Sequence, residues 1–212
     1  MDVDELIAQH PLLFHAAAAD SWPSITRHGL LSTSKLLDLF EVNGAEREAL
    51  ERAHRPESVP LHHPLHGDAL VRDQRPLNMR LLEQSLTDMT TVEWLALLNE
   101  RVFFWPTVNR LKRMLGAYGS REHDVLVVDT RRLIDRHRHR ITLSHVNSGA
   151  TRSGDAARGS TTFRPIVSYP YRGTRDAVAE LAVEHAVPDI AELTVRVERW
   201  RGTFKMGDVP VE

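Results

Sequence analysis

Apolar runs of strand length alternate with polar segments along this chain. Residues 12–16, of sequence LLFHA, predict a buried strand that carries one histidine. Residues 101–105, rich in aromatic and β-branched side chains, predict a central strand, and residues 124–129 give the clearest strand signal. Further strands are expected at 68–72, 141–143, 180–187 and 193–200.

Capping residues and helical periodicity predict short helices between these strands. Asp20 as the N-cap and Gly29 as the stop predict a helix of about two turns. Thr90 and Glu93 make a capping box for a helix over 92–99. Further helices are expected at the start of the chain, at 32–54 with a break at Asn43, at 77–86 and from Pro106 to 116.

Two segments show neither the apolar run of a buried strand nor the periodicity of a helix. Three prolines predict irregular structure over 54–68, and the Gly/Ser-rich segment 147–160 predicts a long mobile loop. Short helices among several strands, without regular strand–helix alternation, indicate an α+β fold. A chain of 212 residues supports one good core, so we expect a single domain over 1–212.

Composition narrows the class of protein. Apolar residues make up 42% of the chain and charged residues 26%, which is typical of a globular protein. The absence of Cys excludes disulfides, a thiolate nucleophile and Cys-containing zinc sites. No apolar run approaches the ~20 residues of a membrane span, and the acidic start is unlike a secretion signal. We therefore expect a cytoplasmic protein without a membrane partner.

Two polar stretches offer alternative chemistry. His62, His63 and His66 are potential zinc ligands of a metal-dependent hydrolase, and Asp68 follows them. Nearby prolines prevent the helix that would align such ligands, so we expect no metal. The stretch 131–140 holds five Arg and two His, which suits phosphate contacts, but such a run after a strand is more often a solvated helix face. The net charge of −2 requires any nucleic-acid binding to come from such a local patch.

Three residues are unusual for their strands. His15 lies in an apolar run, Phe103 in an aromatic strand, and Glu180 begins a strand directly after apolar residues. A charge there is costly unless it faces a cleft or a partner. Each residue also has an ordinary explanation, as a hydrogen-bonded core histidine, core filling and an ion pair with an arginine.

Taken in order, the segments around these residues resemble the ADP-ribosyltransferase fold, in the branch with a His, an aromatic residue and a Glu on three core strands. The first block of that branch is similar to LFHA at 13–16, followed by HGL at 28–30. The second is similar to VFF at 102–104. The third is similar to AELAV at 179–183 with VP at 187–188, and is closest to DarT-type toxins that ADP-ribosylate DNA.

The resemblance implies a split β-sheet core with flanking short helices and NAD as the substrate. Glu180 is implied as the catalytic carboxylate that stabilises positive charge on the ribose of NAD. His15 is implied to act with it by bonding to the other ribose, and the Ala16 backbone to clamp the nicotinamide amide. Phe103 and Phe104 are implied to line the nicotinamide site, with Phe103 stacking on the ring.

The chain departs from that branch in several places. Phe103 replaces the usual Tyr and so lacks a hydroxyl. Glu184 shares a strand face with Glu180, because side chains alternate with period two, and is the rival carboxylate. Val178 stands where arginine-directed relatives carry Glu or Gln, which argues against an arginine acceptor. Residues 41–100 have no counterpart and are expected to form a helical and irregular insertion.

The resemblance also implies the class of acceptor. It places the loop before the Glu180 strand at the acceptor, and together with 131–140 that loop predicts a basic rim. The loop arginines are Arg152, Arg158, Arg164 and Arg172. We therefore expect a nucleic-acid acceptor rather than a protein, and the DarT-type similarity implies a toxin with an antitoxin protein.

Two alternatives stay open. A catalytically idle module of this fold would bind a nucleotide or a partner protein. A 2′-phosphorylated RNA end, the substrate of a related phosphotransferase family, would replace NAD. The whole sequence also resembles an uncharacterised bacterial family of such proteins.

Overall fold

A computed structural model of the chain describes residues 1–152, 156–171 and 177–210. The helices are α1 Val3–Gln9, α2 Trp22–His28, α3 Thr33–Leu39, α4 Gly44–Arg52, α5 Met79–Ser85, α6 Thr91–Asn99, α7 Val108–Gly116, α8 Thr130–His137 and α9 Ile190–Leu193. The strands are β1 Leu12–Ala18, β2 Leu30–Leu31, β3 Val59–His63, β4 Gly67–Val71, β5 Arg101–Phe104, β6 Glu122–Asp129, β7 Ile141–Ser144, β8 Arg164–Pro165, β9 Glu180–Glu184, β10 Ala186–Val187, β11 Thr194–Arg201 and β12 Phe204–Val209. The fold is mixed α+β, which confirms the predicted class.

Two antiparallel four-stranded sheets form the centre of the molecule. The first has the order β1-β6-β11-β12 and the second the order β5-β9-β7-β8. Among the described residues, a single pair of backbone hydrogen bonds joins them: Phe14 N–H donates to Trp105 O (3.0 Å), and Trp105 N–H donates to Phe14 O (2.8 Å). Apart from that bridge, β5 is the outer strand of its sheet, so the prediction of a central strand is wrong in this respect.

The strands β1 and β5 part on one side of the bridge and do not pair again in the described residues. Backbone groups of an antiparallel strand point alternately to its two sides. Phe14 and Trp105 face each other, so Ala16 and Phe103, two residues away, also direct their backbone groups into the gap. The gap therefore has an edge of backbone donors and acceptors on each side.

The first sheet is covered on both faces. Leu126 and Val128 pack into the main core beneath α2, α8 and α9, whereas Val125 and Val127 pack against α7 on the other face. A strand that is buried on both faces has a continuous run of apolar residues, and β6 has such a run at 125–128. The second sheet has α6 and Phe163 on its other face.

Local capping signals predicted most helices correctly. The capping box of Thr90 and Glu93 is formed at the start of α6, and the break between α3 and α4 falls at 40–43. The predicted N-cap of α2 is wrong: Ser21 precedes the helix, while Asp20 has φ 65° and pairs with Arg199 at 2.7 Å.

Residues 54–68 are not irregular throughout, which corrects the prediction made from their prolines. Strands β3 and β4 form a two-stranded hairpin in which Pro60 stands opposite Leu70. A proline is tolerated there because a hairpin has two open edges, where no ladder donor is required. The hairpin contributes to a small separate core made by Leu37, Phe40, Leu50, Leu61 and Val71.

The predicted strand over 180–187 is divided. His185 has φ 65°, which ends β9 and turns the chain so that β10 pairs with β2. Strand β12 was not predicted. Nearly all of its residues are exposed, including the apolar Phe204 and Met206. The single domain expected over 1–212 stays a prediction. In the described ranges, no helix has both the length and the apolar character needed to cross a membrane.

Gly29 connects α2 to β2 beside the gap and provides a test of this packing. Its φ of 78° and ψ of 174° are a backbone conformation that is essentially restricted to glycine. In addition, a Cβ atom added at this position would lie 2.6 Å from Pro188 Cα. We expect Gly29→Ala to lower the free energy of unfolding by about 1–3 kcal/mol. Denaturant titration measures this. The control is Gly207→Ala, whose Cβ meets nothing within 4 Å; an equal loss in the control would contradict the explanation.

Candidate active site

The parting of β1 and β5 leaves a cavity of about 410 Å³. Four of the residues predicted for the site line it, namely His15, Ala16, Phe103 and Glu180. They come from three strands that are far apart in sequence. The cavity is completed by α2, by the β3–β4 hairpin of the insertion and by the loop at 147–150.

His15 is held by the opposite wall of the cavity. Its Nδ1 lies 2.8 Å from Phe103 O, and because a carbonyl only accepts, Nδ1 carries the proton. Burial lowers the pKa of His15 to about 4, against the effect of this hydrogen bond, and the charge of Arg72 lowers it further. At neutral pH the ring is therefore uncharged, and its Nε2 is an acceptor.

Glu180 begins β9 and is only 2% exposed. Both carboxylate oxygens accept from Ser148 N–H at 3.1 Å, and Oε2 also accepts from Ser148 Oγ at 2.6 Å. Burial raises the pKa of Glu180 to about 7, although the Ser148 hydrogen bonds and the charges of Arg110 and Arg158 oppose the rise. A carboxylate with a pKa near neutrality in a cavity is a common property of catalytic groups.

Arg158 fixes the loop that holds Ser148. Its buried guanidinium donates to Asn147 O (3.2 Å) and Ala150 O (2.9 Å), one on each side of Ser148 and Gly149. The backbone N–H that reaches Glu180 is thus positioned before any ligand binds. This assigns Arg158 a structural contact instead of the predicted place on a basic rim.

Phe103 and Phe104 point to opposite faces of β5. Phe103 lines the cavity and packs at 5.9 Å from the ring of Phe163. Phe104 is fully buried in the main core, with its ring centroid 5.7 Å from that of His15. Phe104 is not among the described residues that line the cavity, so its predicted contact with the nicotinamide is corrected to a supporting contact with His15.

Glu184, the rival carboxylate, lies at the other end of β9. Its side chain is 39% exposed and pairs with Arg101 at 3.3 Å. Among the described residues that line the cavity, Glu180 is the glutamate and Glu184 is absent. The position in the fold therefore favours Glu180.

The basic stretch 131–140 does not line the cavity. Arg136 pairs with Asp189 and Glu192, and Arg140 donates to backbone carbonyls near the end of β9. The basic rim predicted from this stretch is therefore not formed by it. Arg172 lies outside the described residues. Among the described residues, the arginines that line the cavity are Arg55, Arg72, Arg101, Arg113 and Arg152.

The histidines of the hairpin separate into two groups. His62 pairs with Asp68 at the surface (2.7 Å), whereas His63 and His66 stack at 4.5 Å. His66 also meets His28 of α2, with ring centroids 4.9 Å apart. In the described part of the chain, no three His, Asp or Glu residues are arranged to hold a metal ion.

Sequence reasoning missed two residues of the site. Ser148 lies in a Gly/Ser-rich loop in which no residue stands out, and Arg72 lies in the insertion that has no counterpart in the resembled fold. Arg72 donates to Ala16 O at 2.6 Å. The one local signal was its place at the end of a short predicted strand, which identifies no partner.

Comparison with known proteins gives a family but no activity. Residues 11–194 match the DUF7002 family, which is described as a family of unknown function. No curated protein and no solved structure matches the chain.

The raised pKa of Glu180 predicts a pH-dependent stability. Protonation is favoured in the folded state, so this stabilisation is complete below the unfolded pKa of 4.5 and is lost as the pH rises through about 7. Glu180→Gln has no charge to bury. We expect it to raise the free energy of unfolding at pH 8 by about 3 kcal/mol, and to have little effect at pH 4.

Denaturant titration of wild type and variant at both pH values measures the difference. Glu184→Gln is the control, since it removes a partly exposed ion pair and should give no gain. An equal effect of Glu180→Gln at pH 4 and pH 8 would contradict a buried, weakly acidic carboxyl group.

Proposed function

We propose that this chain, which belongs to the DUF7002 family, is an NAD-dependent ADP-ribosyltransferase. One observation carries the proposal: His15 and the buried Glu180, on separate strands, line one cavity at the point where two sheets part. This is the arrangement that the resemblance to the ADP-ribosyltransferase fold implies for these two residues. The split pair of sheets supports the same fold.

The proposed reaction breaks the bond between nicotinamide nitrogen and ribose C1′. The bonding electrons leave with nicotinamide, and positive charge develops on the sugar. The ionised Glu180 stabilises that charge, and the acceptor then attacks C1′ and loses a proton. The cationic nicotinamide ring of bound NAD favours the ionised carboxylate, because a nearby positive charge lowers a carboxyl pKa.

Other groups of the cavity would position the dinucleotide. The acceptor Nε2 of His15 suits a hydroxyl of the second ribose, and the Ala16 N–H points into the gap where the nicotinamide amide would lie. Phe103 offers a ring face for stacking. Arg72 already donates to Ala16 O, but a carbonyl oxygen has a second lone pair for the amide.

For the acceptor we propose nucleic acid, and for the biological role a cytoplasmic toxin that is neutralised by an antitoxin protein. The DarT-type similarity of the third block supports both. The described arginines that line the cavity supply positive charge, which a phosphate backbone requires. Of the loop arginines predicted for the rim, Arg152 is among them.

A second candidate function is an idle module that binds a nucleotide without cleaving it. Two observations favour it: Phe103 lacks the usual hydroxyl, and Arg72 occupies the backbone carbonyl expected to bind nicotinamide. Calorimetry with NAD and an assay of nicotinamide release separate the two functions, because the idle module would bind NAD without turnover. Calorimetry with a 2′-phosphorylated RNA end in place of NAD tests the alternative substrate.

The decisive variant is Glu180→Gln, which keeps the shape of the side chain and removes its charge. We expect nicotinamide release from NAD to fall by at least about 100-fold, since a fixed charge at the transition state is lost. Chromatography of the released nicotinamide measures the rate, and circular dichroism checks the fold.

The matched control is Glu184→Gln on the same strand face, which should retain at least half of the activity. Wild-type turnover by Glu180→Gln would overturn the assignment of Glu180. Loss of activity in Glu184→Gln alone would transfer the catalytic role to the rival carboxylate.

A further inference from the structure

Arg72 reaches from the end of the β3–β4 hairpin into the cavity wall. Its guanidinium donates through one terminal nitrogen to Ala16 O (2.6 Å) and through the other to His123 Nε2 (3.1 Å). Its carbon lies 4.7 Å from the centre of the Tyr118 ring. Three elements distant in sequence therefore hold this one side chain in place.

Both hydrogen-bond partners of Arg72 are uncharged. His123 Nδ1 lies 3.2 Å from Arg121 O and must donate to that carbonyl, so Nε2 is the acceptor for Arg72. Burial, followed by the charge of Arg72, lowers the pKa of His123 to about 4. At neutral pH the imidazole orients the guanidinium without adding or cancelling charge.

The charge of Arg72 has no close counter-ion. Within the described ranges, no carboxylate lies within 4.0 Å of its guanidinium. The neighbouring carboxylate, Asp73, is engaged by Arg121 at 2.9 Å and by Ser58 at 2.8 Å. A half-buried cation whose two hydrogen-bond partners are neutral is stabilised when an anion binds beside it.

Other arginines of the cavity have structural partners. Arg55 donates to Leu50 O and to Asn99 Oδ1, and so links α4 to α6. Arg101 donates to Leu97 O and pairs with Glu184. Arg72 differs from both because it contacts the strand edge at the centre of the gap.

We propose that Arg72, oriented by His123 and Tyr118, is an anion-binding subsite that receives a phosphate group of the ligand in this cavity. The planar guanidinium retains N–H donors beyond the two in use, and such a fork matches the geometry of phosphate. The insertion therefore supplies a specificity-determining residue for phosphorylated ligands. The inference rests on the proposed function only in placing the ligand in the same cavity, and it requires no transfer reaction.

Two ligand sources share this chemistry, the pyrophosphate of a dinucleotide and a 2′-phosphate. ADP-ribose represents the first, adenosine 2′-monophosphate the second, and adenosine has no phosphate. Calorimetry at low salt would compare their binding to wild type, Arg72→Gln, Arg72→Lys and Arg138→Gln. Arg138 is an exposed arginine away from the cavity, so its variant controls for the loss of one positive charge.

We expect wild type to bind ADP-ribose at least tenfold more tightly than adenosine, and Arg72→Gln to lose at least tenfold in ADP-ribose affinity. Arg72→Lys, which keeps the charge and loses the planar fork, should lose less. Arg138→Gln should bind like wild type, and adenosine binding should not change in any variant. Tighter binding of adenosine 2′-monophosphate than of ADP-ribose, with the same dependence on Arg72, would support the subsite and assign it to a 2′-phosphate.

Equal ADP-ribose affinity in wild type and folded Arg72→Gln would overturn the subsite. If Arg72→Gln does not fold, equal affinity in wild type and Arg72→Lys would overturn it, and so would equal wild-type affinity for ADP-ribose and adenosine. The outcomes that would reject the proposed transfer reaction differ from those that would reject the subsite. Arg72-dependent binding without nicotinamide release would retain the subsite and reject the transferase, and nicotinamide release with affinity independent of Arg72 would do the reverse.

Discussion

The single pair of backbone hydrogen bonds between Phe14 and Trp105 is the constraint on which the arrangement depends. It joins two sheets at one point and leaves their strand edges unpaired beyond it. His15 follows the bridge directly on β1. Because Phe104 pairs with Leu181, Glu180 falls level with Trp105 on the neighbouring strand. One pair of hydrogen bonds thus sets an imidazole and a carboxylate beside the same gap.

The gap holds two ionisable side chains of opposite charge, Glu180 and Arg72, whose hydrogen-bond partners are neutral. Glu180 is buried and Arg72 is half-buried, and neither has a partner of opposite charge within hydrogen-bond distance among the described residues. Ser148 and His123 orient them through neutral hydrogen bonds instead. Such burial destabilises the empty protein and favours a ligand that carries positive charge near Glu180 and negative charge near Arg72. NAD, with a cationic ring and a pyrophosphate, has both.

The sequence predicted features that depend on local pattern. Strand β6 was evident because it is buried on both faces, and His15 and Glu180 stood out as polar residues in apolar runs. Features that depend on distant partners were missed. Ser148 and Arg72 acquire their roles through contacts 32 and 56 residues away along the chain. The solvated helix face favoured for 131–140 is present in α8. The basic rim expected from this stretch is not, since its ion pairs with 189–192 cannot be predicted from its composition.

The most direct test of the central claim is a crystal structure of the Glu180→Gln variant with NAD, because that variant should bind the dinucleotide without cleaving it. We expect the nicotinamide amide at the Ala16 backbone, the adjoining ribose beside residue 180 and the pyrophosphate towards Arg72. NAD bound at another surface, or a gap that excludes NAD at saturating concentration, would show that this cavity is not the NAD site.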